Sequence, residues 1–291
     1  MPPEIAAADR EGQDEWLFRR ASVWPDVVRD RGEPERRSAF NRDTWHYINI
    51  PLYLTPADEA AIRERVADGL PAPNVRFDPP EGVTAADGAE GKGADGEPGM
   101  NAVQALRFNL AAVADENRSA AERAVALCWV LHLGGDVHQP MHAAALFTDG
   151  LYPEGDRGGN LVKVAASPGQ PGRNLHALWD AAPGATFTPV EVSLNAERLL
   201  ADEGLSAAGA AAAGDLDPRS WARESRTLAQ WAVYTPDVLA YVRTREAAVD
   251  ADRDPDPAPL RVAEEDVDKI RRLADRRLTE AGFRLGAALA K

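Results

Sequence analysis

Thiol chemistry is nearly closed to this chain, because its 291 residues include a single cysteine, Cys128. One cysteine excludes an internal disulfide and a thiolate zinc site. It lies in the apolar run ALCWVL and reads as core filler. Long hydrophobic runs are also missing, and nothing approaches the roughly 18 consecutive apolar residues of a transmembrane helix. The opening stretch, MPPEIAAADREGQDEW, has neither the basic nor the apolar region of a secretory signal. Basic residues are in deficit: 33 Lys plus Arg face 47 Asp plus Glu, for a formal net charge of −14. So acidic a chain is poorly suited to gripping long stretches of phosphate backbone through counterion release. Work on a phosphate stays open if bound metal ions supply positive charge locally. Histidine is scarce as well, with only His46, His132, His138, His142 and His176.

What is present is a globular composition, 44% hydrophobic and 27% charged. The length suits one large domain or two small ones. The pattern is helix upon helix with no repeat and no clear boundary, so the expectation is an all-α, single multi-helix domain over 1–291 with long loops and one short β-hairpin. Helix is expected up to about Arg31, with a break at Trp24-Pro25-Asp26 where Pro25 suits the first turn of a new helix. Thr44 to Tyr53, aromatic and β-branched, is expected to be extended, with His46 and Ile48 on one side and Tyr47 and Asn49 on the other. Thr55-Pro56-Ala57-Asp58 caps a helix to about Ala67. The Gly-, Pro- and acid-rich stretch 71–98 reads as a mobile insertion. Helix resumes at Asn101 to Ala114. Leu161 to Val164 is the candidate hairpin arm, and helices are expected at 195–202, 207–213 (also readable as a linker), 221–234, 236–247 and 264–289.

The chemistry concentrates in HLGGDVHQPMH, His132 to His142. Ser119 and Glu122 form the S-x-x-E box that opens an apolar helix, and His132 and Asp136, four apart, leave its last turn on one face. Pro140 then turns the chain and releases His142. A lone histidine on an apolar helix is more often a hydrogen-bonded core residue, with an Asp at i+4 as its partner. A second motif shifts that balance: NLHALWD, Asn174 to Asp180, repeats the spacing in His176 and Asp180. Two of five histidines thus carry an Asp at i+4, which favours a cluster. Imidazole and carboxylate donors without sulfur suit a working zinc site.

HxxGDxHQPxH followed by a GGN loop and NLHxxWD resembles the S1/P1 nuclease family of three-zinc, single-strand-specific nucleases, whose helical fold is shared by bacterial zinc phospholipase C. Trp24-Pro25-Asp26, His46-Tyr47-Ile48 and the C-terminal AGFRL of Ala281 to Leu285 extend the resemblance over nearly the whole chain. It implies that Asp26, His46, His132 and Asp136 hold one zinc and that His142, His176 and Asp180 hold a second. Arg29, which by itself would read as a surface partner of Asp26, would steady the phosphate in the transition state. Tyr47 and Asn49 would stack on and hydrogen-bond a nucleobase. His138 and Asn160 are expected to orient neighbouring ligands.

The implied activity is phosphodiester hydrolysis of single-stranded DNA or RNA by a metal-bound hydroxide, giving 5′-phosphates, with 3′-nucleotidase activity beside it. A monomer without stable duplex binding is expected. The resemblance also implies a secreted or periplasmic protein. Family members begin at a Trp that, with a nearby His, chelates the third zinc. Here Met1 stands first, no His precedes His46 and Trp16 is internal, so that site retains only Asp136. The expectation is a chain lacking the family's first helix and signal, or a two-zinc variant. Two alternatives stand beside the nuclease: a phospholipase C-like phosphodiesterase, and a catalytically impaired, zinc-stabilised binding domain.

Overall fold

A computed structural model describes residues 3–82, 99–165, 173–184, 188–251 and 258–291. In chain order the elements are α1 (Pro3–Ala6), α2 (Arg10–Val27), α3 (Pro34–Phe40), a 3-10 turn (Asp43–His46), β1 (Ile50–Tyr53), α4 (Pro56–Ala67), α5 (Ala102–Ala114) and α6 (Ala120–Asp136). They continue with α7 (Pro140–Ala143), β2 (Ala144–Phe147), β3 (Lys163–Val164), β4 (Arg173–Asn174), α8 (Leu175–Asp180), α9 (Pro189–Ala201), α10 (Glu203–Ala212), α11 (Pro218–Leu228), a π-helical turn (Ala229–Val233), α12 (Pro236–Asp250) and α13 (Glu264–Leu289). The fold is all-α. Among the described residues the only sheets are two of two strands each, and no helix is long and apolar enough to cross a membrane. The chain divides into two compact units, 1–47 with 76–136 and 48–75 with 137–291.

In the first unit α5 and α2 pack against α6. Asn101 caps α5 by accepting from Val103 and Gln104 N–H while Gln104 returns a carbonyl to Asn101 N–H. Ser119 and Glu122 open α6 in the same reciprocal way, as their spacing predicts. The C-terminal half of α6 is the more deeply buried, through Trp129, Val130, Leu131 and Leu133, and Trp45 packs edge-on against Trp129. That packing corrects the expectation for Thr44 to His46. The segment forms a 3-10 turn rather than a strand, because Trp45 is drawn inward to 1% exposure. Pro25 likewise does not start a helix; it sits inside the last turn of α2. A proline there forfeits only one hydrogen bond, to Ala21, and the helix ends two residues later. Within the predicted insertion, Arg76, Phe77 and Asp78 are tied to α5 through Asn101, Gln104 and Arg107. Residues 83–98 lie outside the described residues.

In the second unit β1 and β2 pair in parallel, Ile50 with Ala144 through Tyr53 with Phe147. The short hairpin forms as β3 against β4. Thr55 caps α4 and Thr188 caps α9, so α9 begins earlier than the expected Asn195. The alanine-rich 207–213 stretch is helical as part of α10, where Gly209 leaves room for Phe283 of α13. The core gathers Leu146, Leu175, Trp179, Val233 and Val242.

Candidate functional site

The first unit assembles a cluster at the end of α6. His132 and Asp136 share its last turn, His46 arrives from the end of the 3-10 turn, and Asp26 comes from the last turn of α2. His132 Nε2 stands 3.0 Å from His46 Nδ1, and Asp136 Oδ2 lies 3.3 Å from the former and 3.2 Å from the latter. Asp26 Oδ2 is 3.9 Å from His132 Nε2. Asp26, His46 and His132 each offer a ligand atom within 4.8 Å of the others. His132 Nδ1 faces the Ser22 carbonyl at 2.9 Å. That bond fixes the tautomer: Nδ1–H donates and Nε2 turns a lone pair inward.

The second unit assembles the other cluster. His142 lies on α7, and His176 and Asp180 on α8; ligand atoms of all three again fall within 4.8 Å. His176 Nδ1 donates to the Gly158 carbonyl at 2.8 Å, so in the neutral ring Nε2 presents a lone pair to Asp180 Oδ2 at 3.4 Å.

Both donor sets fit a zinc ion. Ligand bonds of about 2.0–2.1 Å in a tetrahedron place neighbouring donors about 3.3 Å apart, which is the spacing among His46, His132 and Asp136. The lone pairs also outnumber the protons. In the first cluster the acceptor atoms of His132 and Asp136 face one nitrogen, His46 Nδ1, that carries at most one proton, and Asp26 Oδ2 faces the same His132 acceptor. In the second, two acceptors face each other. A bound cation relieves both.

Arg29 donates to Asp26 Oδ1 at 3.3 Å and stands 3.6 Å from Asp43. Asp26 thereby divides its carboxylate, one oxygen toward Arg29 and the other toward His132. His46 and Ile48 are 4% and 0% exposed, Tyr47 is 39% exposed and Asn49 is half-buried. His138 joins neither cluster. It is buried against Trp221, its carbonyl accepting from Arg277 and its Nε2 facing Arg284 at 3.0 Å. Asn160 accepts from the Asn174 amide at 3.1 Å, and Asn174 caps α8, which carries His176 and Asp180.

Two contributors escaped the sequence reading. Gln139 caps α7 through Met141 N–H and donates from Nε2 to Asp180 Oδ1 at 2.9 Å. An amide just ahead of an N1 proline was the available signal. Asp156, 0% exposed, accepts from Leu146 N–H and the Tyr234 hydroxyl, and from the N–H groups of Gly158 and Gly159. Burial pushes its carboxyl up to about 6 even against those bonds. Its signal was its place in GDRGGN, where Arg157, Gly158 and Gly159 all take positive φ and the Gly158 and Gly159 N–H groups turn toward one acceptor.

A model of the S1/P1 Nuclease family matches residues 5–291. A search of curated proteins gave no match. The motifs that hold both clusters fall within that match, and the chain belongs to the S1/P1 nuclease family, nuclease-type hydrolases of phosphodiester bonds.

Proposed function

We propose that the chain is a zinc-dependent nuclease that cuts single-stranded nucleic acid to 5′-phosphate products and also removes 3′-phosphates from nucleotides. The observation carrying this reading is that His46, His132 and Asp136 bring ligand atoms to within 3.3 Å of one another, with Asp26 3.9 Å from His132, in a chain of a nuclease family. These four residues would hold one zinc, and His142, His176 and Asp180 another. Bound zinc supplies a Lewis acid that polarises a phosphoryl oxygen and brings the pKa of water toward neutrality.

The remaining work falls to side chains. Arg29 directs its guanidinium at the phosphate oxygens that gain charge in the transition state, and Asp26 aims it. Tyr47 offers a partly exposed ring on which any base can stack, with Asn49 bonding the base edge. A base in a duplex must leave its stack to reach such a platform, which disfavours duplex substrates.

Elemental analysis of the purified protein, together with cleavage of matched single- and double-stranded DNA and determination of product ends, tests the reading. The expected result is two or more zincs per chain, faster cleavage of the single strand and 5′-phosphate ends. His132→Ala should lose one zinc and the cleavage with it. Intact nucleic acid beside hydrolysed phosphatidylcholine would reassign the chain as a phospholipase. Stoichiometric zinc without turnover of either would make it a binding domain.

A further inference from the structure

Although the chain is acidic overall, residues 26–43 balance Arg29, Arg31, Arg36, Arg37 and Arg42 against Asp26, Asp30, Glu33, Glu35 and Asp43. Two of these arginines face one carboxylate. Asp43 Oδ1 lies 3.6 Å from Arg29 Nε, and Asp43 Oδ2 lies 3.7 Å from Arg37 Nη2. Both distances exceed hydrogen-bond length, so Asp43 attracts the two guanidiniums without satisfying either. Arg37 Nε is in addition buried with no hydrogen-bond partner. Arg29 reaches inward to Asp26, whose other oxygen faces His132. Asp26, Arg29, Asp43 and Arg37 thus form a row of alternating charge leading outward from the first cluster.

We infer that Arg37, beside Arg29 on the scissile phosphate, forms a seat for the phosphodiester that flanks it, and that this seat makes the enzyme favour an oligonucleotide over a minimal substrate. Phosphate oxygens match the guanidinium fork at hydrogen-bonding distance, which Asp43 does not. Displacing Asp43 costs little, because ion pairs this exposed are weak. At 46%, 38% and 51% side-chain exposure, Arg29, Arg37 and Asp43 are all open to such a strand. The segment is formally neutral where the whole chain carries −14, which lessens the repulsion of a polyanion. The inference rests on the nuclease reading for its consequence in turnover, but the seat itself is tested by binding.

The binding experiment uses the zinc-loaded protein and a fluorescein-labelled, uniformly phosphorothioate decathymidylate, followed by anisotropy at several salt concentrations. Arg37→Ala should weaken binding about five- to tenfold at low salt and reduce the slope of log K against log salt by about 0.7, one phosphate contact on a single strand. Arg37→Lys should recover part of the loss, and Asp43→Asn should tighten binding. In turnover, the ratio of kcat/KM for decathymidylate to that for the dinucleotide TpT, which has no flanking phosphate, should fall by a similar factor in Arg37→Ala. Unchanged affinity and slope in Arg37→Ala, with circular dichroism intact, overturns the inference. So does an unchanged ratio, or weakening by Asp43→Asn equal to that of Arg37→Ala. If the wild type cleaves neither substrate but Arg37→Ala still loses affinity and slope, the seat stands and the nuclease reading falls.

Discussion

Gln139 holds Asp180 by one oxygen, its amide donating to Oδ1 at 2.9 Å while Oδ2 faces His176 at 3.4 Å. The same side chain caps α7, which carries His142. One glutamine therefore orients two of the three donors of the second cluster. Outer partners of this kind typically contribute 10- to 100-fold in metal affinity. Gln139→Met, of similar volume but without donor or acceptor, should weaken zinc at this cluster by about that factor, read by competition with a chromophoric chelator. The His46–His132 cluster should keep its zinc. Equal affinities in wild type and variant would show that Asp180 needs no holder.

Gly158 is the tightest point of the adjoining loop. Its φ is +59°, and a Cβ there would fall 2.2 Å from the Met141 carbonyl oxygen. Its own carbonyl accepts from His176. Gly158→Ala must therefore bear both the left-handed backbone and a backbone clash, with an expected loss of about 2–4 kcal/mol. The comparison is Gly69→Ala, where φ is +110° but nothing lies within 4 Å. That variant should lose less, about 1 kcal/mol. Urea melts of the two variants measure the difference, and similar losses would mean that the clash is relieved by movement of the loop.

What could be read from the chain alone was whatever is decided within four or five residues. The caps at Thr55 and Ser119 and the His-x-x-x-Asp pairs are local by nature, and the structure has them where the spacing placed them. The 3-10 turn at Asp43–His46 was hidden because the bulky residues that suggest a strand are there to fill the space beside Trp129. The parallel pairing of Ile50 with Ala144 depends on contacts far along the chain, which no window captures. Asp156 was signalled only by its place in GDRGGN, since one of its partners, Tyr234, lies 78 residues away.

Asp156 also gives a pH signature. Its folded carboxyl titrates at about 6 against 3.8 for the ordinary group, so between those values the folded state holds a proton that the unfolded chain has released. Stability contributed by this group is full below about pH 4 and falls as pH rises through 6, by about 3 kcal/mol across the window. Asp156→Asn, which cannot titrate, should flatten that slope in urea midpoints taken from pH 4 to 7. Tyr234→Phe removes a donor to the charged form and should move the upper end of the window higher. A parallel slope in wild type and Asp156→Asn would assign the pH dependence elsewhere.

Glu224 titrates in the opposite direction. Partial burial would raise its carboxyl, but hydrogen bonds and charge from Arg284 and Arg277 hold it at about 2. Its stabilisation is therefore present above about pH 4.5 and lost as pH falls toward 2. Arg284 is 3% exposed and bonds both Glu224 oxygens, at 2.7 and 2.8 Å. Glu224→Gln turns one of those acceptors into a donor against a buried guanidinium. Removing one partner of a fully buried pair costs about 3–5 kcal/mol; because Glu224 is 43% exposed, solvent screening reduces the expected loss to about 2 kcal/mol. Arg276, 61% exposed and paired with Glu280, is the contrast: Arg276→Ala should change stability by no more than about 0.5 kcal/mol. Urea denaturation at pH 7 and pH 3 separates the two. Glu224→Gln should lose about half of its deficit relative to wild type at pH 3, because the unfolded wild-type carboxyl is protonated there and part of the stabilisation is forfeited. A deficit of the same size at both pH values would mean that shape rather than charge makes Glu224 irreplaceable.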